Sequence, residues 1–290
     1  MNYVFLADSS CDLPYEIAQN FGIEVLPMQF EMEGKNYLHY LDEREMSLEE
    51  FYTKLKDGVR ATTSQINYDS YANYFEEYLK EGKDIVYVCI SSGLSGSINS
   101  CRIAINELKD KYPDRRIEVV DTGCDSIGEA LLLYKVGQKY KDGCSMDELI
   151  DAINEVKTQI CHWFVVDDLE HLKRGGRISA VSATFGKALQ IKPILSVDQD
   201  GKLVTIGKIR GANKVFDEFV SKLKRDGRNL KDETVVIAHT RNTEGVEKLK
   251  ELISPLVKDI IVCEVGPIIG AHVGCGFLAL IFSGERNLTM

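Results

Sequence analysis

The sequence predicts an α/β protein of two domains, the first built on a parallel sheet and the second on a mixed sheet. Three observations carry this reading. The chain has 290 residues, about twice the length of an ordinary domain. As far as residue 160, strand-like runs alternate with helical patterns, the grammar of parallel βαβ units. From residue 161 the pattern changes to hairpin signals, so antiparallel pairing enters. The expected domains are therefore residues 1–160 and 161–290, with no internal repeat.

The elements follow in order. YVFLAD at the start is an apolar, β-rich run, and a helix is expected over Leu13–Phe21 with Asp12 as N-cap, Pro14 in its first turn and Gly22 as its stop. IEVLPMQFEM reads as the next strand. Ser47 and Glu50 have capping-box spacing at the head of FYTKLK, and Ser145 and Glu148 repeat it before a helix carrying Leu149, Ile150, Ile153 and Val156 on one side. Between them, DIVYVCI and IEVVDT are strands, each followed by a helical pattern: one through Ile98, Ile105 and Leu108, the other LLLYKVGQKY. In the second half, WFVV leads to a short helix ending at Gly175 and Gly176. ILSVDQDGKLVTIGKI is a hairpin around Asp200 and Gly201, and a helix spans Val215–Leu223. TVVIAHT, a helix, DIIVCEVG, the glycine-rich GAHVGCG and the strand FLALIF complete the chain.

Composition excludes several function classes. Thirty-five Lys and Arg against forty-five Asp and Glu give a net charge of -10, which disfavours nucleic acid and broad contact with an anionic bilayer. MNYVFLADSS lacks the basic and apolar regions of a secretory signal, and no apolar run reaches the roughly 20 residues of a membrane span. A soluble, cytoplasmic protein is expected, with at most transient membrane contact. The eight cysteines lie far apart without a C-x-x-C pair, and the five histidines have no metal-ligand spacing. Reduced thiols, no metal and no cofactor are expected.

The chemistry concentrates in ISSGLSGSINS, residues 90–100, where a strand gives way to a helix. That position in an α/β sheet is where ligands bind. A helix start supplies free N–H groups, glycines admit a ligand to the backbone and hydroxyls donate hydrogen bonds, so the loop suits a carboxylate or phosphate. Helix capping alone uses one hydroxyl, and this loop has several. A nucleophilic reading also stands: Gly93-Leu94-Ser95-Gly96-Ser97 approaches the G-x-S-x-G elbow, with His272 later in the chain, although the fifth residue is serine. Gly274-Cys-Gly276-Phe-Leu-Ala279 matches G-x-G-x-x-A but runs into a strand, and Gly186-Lys187-Ala188 lacks the rest of a P-loop. Three further segments, 61–65, 173–177 and 270–274, read as polar loops. In them Thr63 is either a helix N-cap or a ligand contact, Arg177 reads as a solvated charge near a helix end, and His272 as a structural histidine or a ligand contact.

Taken together these segments resemble the DegV family of fatty-acid-binding proteins. The resemblance rests on Asp8-Ser-Ser-Cys-Asp-Leu13, Thr63-Ser-Gln65, Ser91-Ser-Gly-Leu-Ser-Gly96, the stretch from Asp168 to Ile178, Lys192-Pro-Ile-Leu195, and Gly266 to Gly274. It implies a ligand site between the two domains, where Thr63, Ser95 and the Gly96 amide hold the carboxylate of a long-chain fatty acid such as palmitate. The tail would enter an apolar tunnel. It further implies that His272 lies near the carboxylate and that Arg177 serves docking onto a separate fatty-acid kinase, so that this chain is a carrier in lipid transport or fatty-acid metabolism and not an enzyme. Ile66, Ser97 and Cys275 depart from the proline, threonine and proline usual at those places. The alternatives are a lipid-directed serine hydrolase using Ser95 and His272, and a lipid-sensing regulatory protein.

Overall fold

Strand β1 (Tyr3–Asp8) is buried along its whole length because it is a central strand of a parallel sheet covered on both faces. The computed structural model describes residues 2–167, 169–178 and 191–290, so Asp168 and the segment Gly186 to Ala188 lie outside the described residues. Helix α1 (Tyr15–Phe21) stops on Gly22, whose φ of 70° needs a residue without a Cβ. Its start corrects the expectation: Pro14 is the N-cap, and Asp12, at φ 49°, belongs to the preceding turn. The Asp12 carboxylate faces inward instead, accepting from Ser126 Oγ at 2.6 Å and from the Gly266 amide at 2.8 Å.

IEVLPMQFEM is two strands in two sheets. β2 (Glu24–Leu26) pairs with β1, Pro27 has no N–H with which to continue a ladder, and β3 (Met28–Met32) pairs antiparallel with β4 (Lys35–His39). Helix α2 (Leu48–Lys56) has Ser47 as its cap, accepting from Glu50 N at 3.1 Å, but the Glu50 carboxylate turns to Lys54 and leaves the box half closed. β5 (Ala61–Ser64) is the third strand of the small antiparallel sheet, with Thr63 opposite Phe30. Asn67, and not Thr63, caps α3 (Tyr68–Lys80).

β6 (Asp84–Cys89), α4 (Ser97–Lys111) and β7 (Ile117–Asp121) complete the parallel sheet in the order β2-β1-β6-β7. Alternation divides its side chains: Val4, Leu6, Ile85 and Tyr87 pack with α2, α3 and α4, while Tyr3, Phe5, Val86 and Val88 pack with α1, α5 (Ser126–Lys141) and α6 (Met146–Lys157). The Ser145 capping box on α6 is complete.

The second sheet is mixed, as expected. It uses β8 (Ile160–Val165), then, beyond α7 (Glu170–Arg174), the hairpin of β9 (Ile191–Val197) and β10 (Leu203–Arg210). After α8 (Ala212–Asp226) come β11 (Thr234–His239), α9 (Thr243–Ile253), β12 (Asp259–Glu264), α10 (Pro267–Val273) and β13 (Leu278–Ser283). The order is β10-β9-β8-β13-β11-β12, and β11 with β12 is its parallel pair. Helices α8 and α9 cover one face; α5, α7 and α10 lie against the other.

Helix α5 therefore sits between the sheets. Ala130, Leu132 and Leu133 join the core of the parallel sheet, whereas Ile127 and Leu131 join that of the mixed sheet, which is why Ser126–Leu133 is buried on every side. The hairpin turn makes a second link: Ser91 Oγ donates to Gly201 O at 2.8 Å. A Cβ on Gly93 would stand 2.7 Å from that same carbonyl, so the loop after β6 approaches the turn only because residue 93 is glycine.

Candidate functional site

Ligand chemistry gathers where the loop after β6, strand β5, the end of α7 and helix α10 meet. The three segments expected to be loops are, in order, β5, the last turn of α7 with the residues after it, and α10. Rigid elements thus carry Thr63 and His272.

Ser91 and Ser92 belong to the fold of the loop. Ser91 Oγ is committed to Gly201 and also accepts from Gly93 N at 3.1 Å, while Ser92 N donates to Asp121 Oδ1 at 3.2 Å. Ser95 is held differently. Its Oγ accepts from Ser97 N at 3.2 Å and shares a 2.9 Å hydrogen bond with Ser97 Oγ, which fixes the hydroxyl at the mouth of α4. Gly96 is the N-cap of α4 and exposed. A Cβ there would stand 2.5 Å from Gln65 Oε1.

Thr63 Oγ1 lies 2.8 Å from His272 Nε2, a hydrogen bond between residues 209 positions apart. Burial, and then the nearby Arg177 and His171 charges, push the His272 imidazole down to about 4, so it is neutral at neutral pH. The Arg177 Nε donates to Leu94 O at 3.2 Å and its Nη1 to Gly175 O at 2.5 Å, with no carboxylate partner among the described residues. Burial lowers its pKa, as for any cation taken from water without a counter-ion.

Thr63, Ser95, Arg177 and His272 all line one cavity; Gly96 is not in its wall. Met28, Ile127, Phe164, Leu172, Leu203 and Phe277 supply apolar lining from the small antiparallel sheet, the mixed sheet, helices α5 and α7, and the turn before β13. The space between these residues, mouth included, is about 760 Å³. Two further polar groups, Ser10 and Ser126, reach the wall near the start of α10, but each donates to a buried carboxylate, Ser10 to Asp8 and Ser126 to Asp12. Asp125 also reaches it; burial raises its carboxyl, but His162 at 2.8 Å and the Gly128 amide outweigh this and hold it below its usual range.

Sequence reasoning missed Leu203, Ile268 and Ile269 as lining residues, because a cavity wall and a core residue carry the same apolar signal. Gln65, also in the wall, was legible only as a motif member; its Nε2 donates to Ser100 Oγ at 2.9 Å. A serine nucleophile finds little support here. Among the described residues Ser95 bonds Ser97, His272 bonds Thr63, and the charges acting on His272 are cationic, whereas a catalytic triad needs Ser to His and His to carboxylate. Among the described residues no group of His, Cys, Asp and Glu is arranged to hold a metal, and no helix is long and apolar enough to cross a membrane.

Known proteins share this chain's sequence and fold along nearly its whole length. The family model described as DegV, an uncharacterised protein family, matches residues 4–285. A DegV domain-containing protein of Clostridium perfringens is 40% identical over 287 residues, covering 98% of each chain. Among solved structures, a fatty-acid-binding DegV family protein from Thermus thermophilus superposes with a TM-score of 0.85 at 27% identity, covering 98% of this chain and 100% of the other. DegV from Bacillus subtilis, described as a fatty acid binding protein, gives 0.84 at 26% identity, with 98% and 100% covered.

Proposed function

This chain belongs to the DegV family, and from that premise we propose that it binds a long-chain fatty acid such as palmitate between domains spanning residues 1–160 and 161–290. One observation carries the reading: a mainly apolar cavity has in its wall the Thr63 and Ser95 hydroxyls, a neutral imidazole and an arginine without a carboxylate partner among the described residues. Ser95 and Thr63 orient the carboxylate. The Gly96 amide, which makes no hydrogen bond among the described residues, adds a third donor at the positive end of α4. His272 positions Thr63, and Arg177 supplies the charge.

Magnitudes divide the labour. Each buried methylene contributes about 0.8 kcal/mol, so about fifteen offer on the order of 12 kcal/mol before the costs of association. Each hydrogen bond to a charged head contributes roughly 1.5–3 kcal/mol. The tail supplies affinity and the head sets register. Ser95→Ala should therefore weaken palmitate binding by roughly 1–2 kcal/mol, with the protein still folded and about 1 kcal/mol less stable for the lost bond from Ser97 N. Calorimetric titration of both proteins tests this, and equal affinities would remove Ser95 from the site.

In this reading the chain is a carrier in lipid transport or fatty-acid metabolism. A separate kinase would supply ATP, the presented carboxylate oxygen would attack the γ-phosphorus, and acyl phosphate and ADP would result. We place the protein in the cytoplasm, a setting that its eight unpaired cysteines favour.

A further inference from the structure

Polar side chains enter the cavity wall at two places. One holds Thr63, Gln65, Ser95, Arg177 and His272; the other, where the turn Ser9–Cys11 packs on the start of α5, holds Ser10, Asp125 and Ser126.

A carboxylate head does not account for the second group, because that group offers no side-chain donor. Ser10 Oγ gives its hydrogen to Asp8 and Ser126 Oγ gives its own to Asp12 Oδ2 at 2.6 Å, so only their lone pairs remain for a ligand. Asp125 adds a stronger acceptor. Its Oδ1 takes the Gly128 amide at 2.9 Å and lies 2.8 Å from His162 Nδ1, while its Oδ2 has no hydrogen bond among the described residues. Both Glu129 oxygens are also unpartnered, but they are sealed inside the protein. The Asp125 side chain instead keeps 16% of its surface accessible and lines the cavity. Burial opposes its charge, yet His162 behind it, with Arg286 Nη2 3.3 Å from the other nitrogen of that imidazole, keeps it ionised. A charged oxygen in a wall shared with Ile127, Ile268 and Phe277 is costly unless a donor reaches it.

The fold sets how far this group lies from the head. Asp12 ties Ser126 to Gly266, the cap of α10, and His272 is in the last turn of that helix. Six residues of helix span about 9 Å, which an extended chain covers in roughly seven or eight bonds of about 1.2 Å advance each. The missing donor therefore belongs near the middle of a long acyl chain whose carboxylate is at Thr63 and Ser95. A hydroxyl suits the place, since it brings one hydrogen for Oδ2 and no charge to desolvate.

We propose that Ser10, Asp125 and Ser126 form a subsite for a hydroxyl group carried near the middle of the acyl chain, so that the cavity takes hydroxylated long-chain fatty acids as well as plain ones. The inference deepens the fatty-acid reading and rests on it for the position of the chain. A plain chain covers Asp125 Oδ2 and gives it nothing, whereas a hydroxyl gives it a charge-assisted bond.

Calorimetric titration of the full chain, and of an Asp125→Asn variant, with octadecanoate, 10-hydroxyoctadecanoate and 12-hydroxyoctadecanoate tests this. In a wall without acceptors, burying an unpaired hydroxyl would weaken binding about tenfold or more. The parent should instead bind at least one hydroxy acid as tightly as octadecanoate, or more tightly. Asparagine keeps an acceptor for the Gly128 amide and His162 and puts an uncharged amide where Oδ2 was, so the hydroxy acid should lose about fivefold or more relative to octadecanoate. The ratio of affinities within each protein is the readout, and the parent's ratio stands without the variant. Octadecanoate binding with both hydroxy acids tenfold or more weaker overturns the subsite and leaves the fatty-acid reading standing. An unchanged ratio in the folded variant overturns it too, by removing Asp125 from the hydroxyl. Failure of all three acids to bind sinks the fatty-acid reading and the subsite with it.

Discussion

Leu203→Trp is expected to weaken palmitate binding about 100-fold or more while the protein stays folded. Leu203 opens β10, an edge strand of the mixed sheet, and is half-buried in the cavity wall. An edge position tolerates a larger side chain better than a central one, because β10 is paired with a neighbouring strand on one side only. The cavity does not tolerate it: an indole entering from its wall takes space that part of the acyl chain would fill. Losing four methylenes of burial removes about 3 kcal/mol, or roughly 100-fold in affinity. Calorimetric titration measures the loss, and circular dichroism checks the fold. Undiminished affinity in a folded variant would mean that the tail lies elsewhere.

The second large effect is on stability. Asp12→Asn should make the protein more stable than the parent at pH 8, by roughly 2–4 kcal/mol. Burial, with smaller contributions from Asp8 and Asp125, pushes the Asp12 carboxyl up to about 7. A group raised in the folded state binds its proton more tightly there than in the unfolded chain. Stability is then full below the ordinary carboxyl value and is lost as pH rises towards 7. Asparagine keeps an acceptor for the Gly266 amide, can donate to Ser126 Oγ, and tolerates the left-handed backbone at φ 49°. It abolishes the charging cost.

Buried histidines act with the opposite sign. His39 and His272 are both pushed down to about 4, so their contribution is full above the ordinary imidazole value and is lost as pH falls towards 4. The parent's own pH profile therefore mixes opposed slopes across the same window. The difference between parent and variant isolates Asp12, since the histidines cancel. Denaturant unfolding at pH 5, 6, 7 and 8 should give a gap that widens with pH, and a constant gap would refute the assignment. Asp12 also bears on function, because its bond to Gly266 anchors the start of α10, the helix that carries His272.

The sheets were legible because their strands are long apolar runs bounded by glycine or polar turns, as YVFLAD, DIVYVCI and FLALIF illustrate. Local grammar failed where a tertiary partner decided the outcome. Asp12 has the look of an N-cap but serves two distant groups, Ser126 and Gly266, and IEVLPMQFEM divides at Pro27 because its halves join different sheets. GAHVGCG reads as a loop, yet residues 270–273 close a helix that starts at Pro267 and packs against the small antiparallel sheet and α2.

The candidate site was legible residue by residue and not as a constellation. The sequence marks Ser95 by its neighbours, and the family resemblance adds Thr63 and His272. No spacing rule predicts that these last two meet across 209 positions.

Denaturing and extracting the purified protein, followed by mass spectrometry, should release a long-chain fatty acid at up to about one molecule per chain, recovered unchanged, or leave an empty protein that takes up added palmitate. A protein that arrives empty and also fails to bind added fatty acids would contradict the fatty-acid reading.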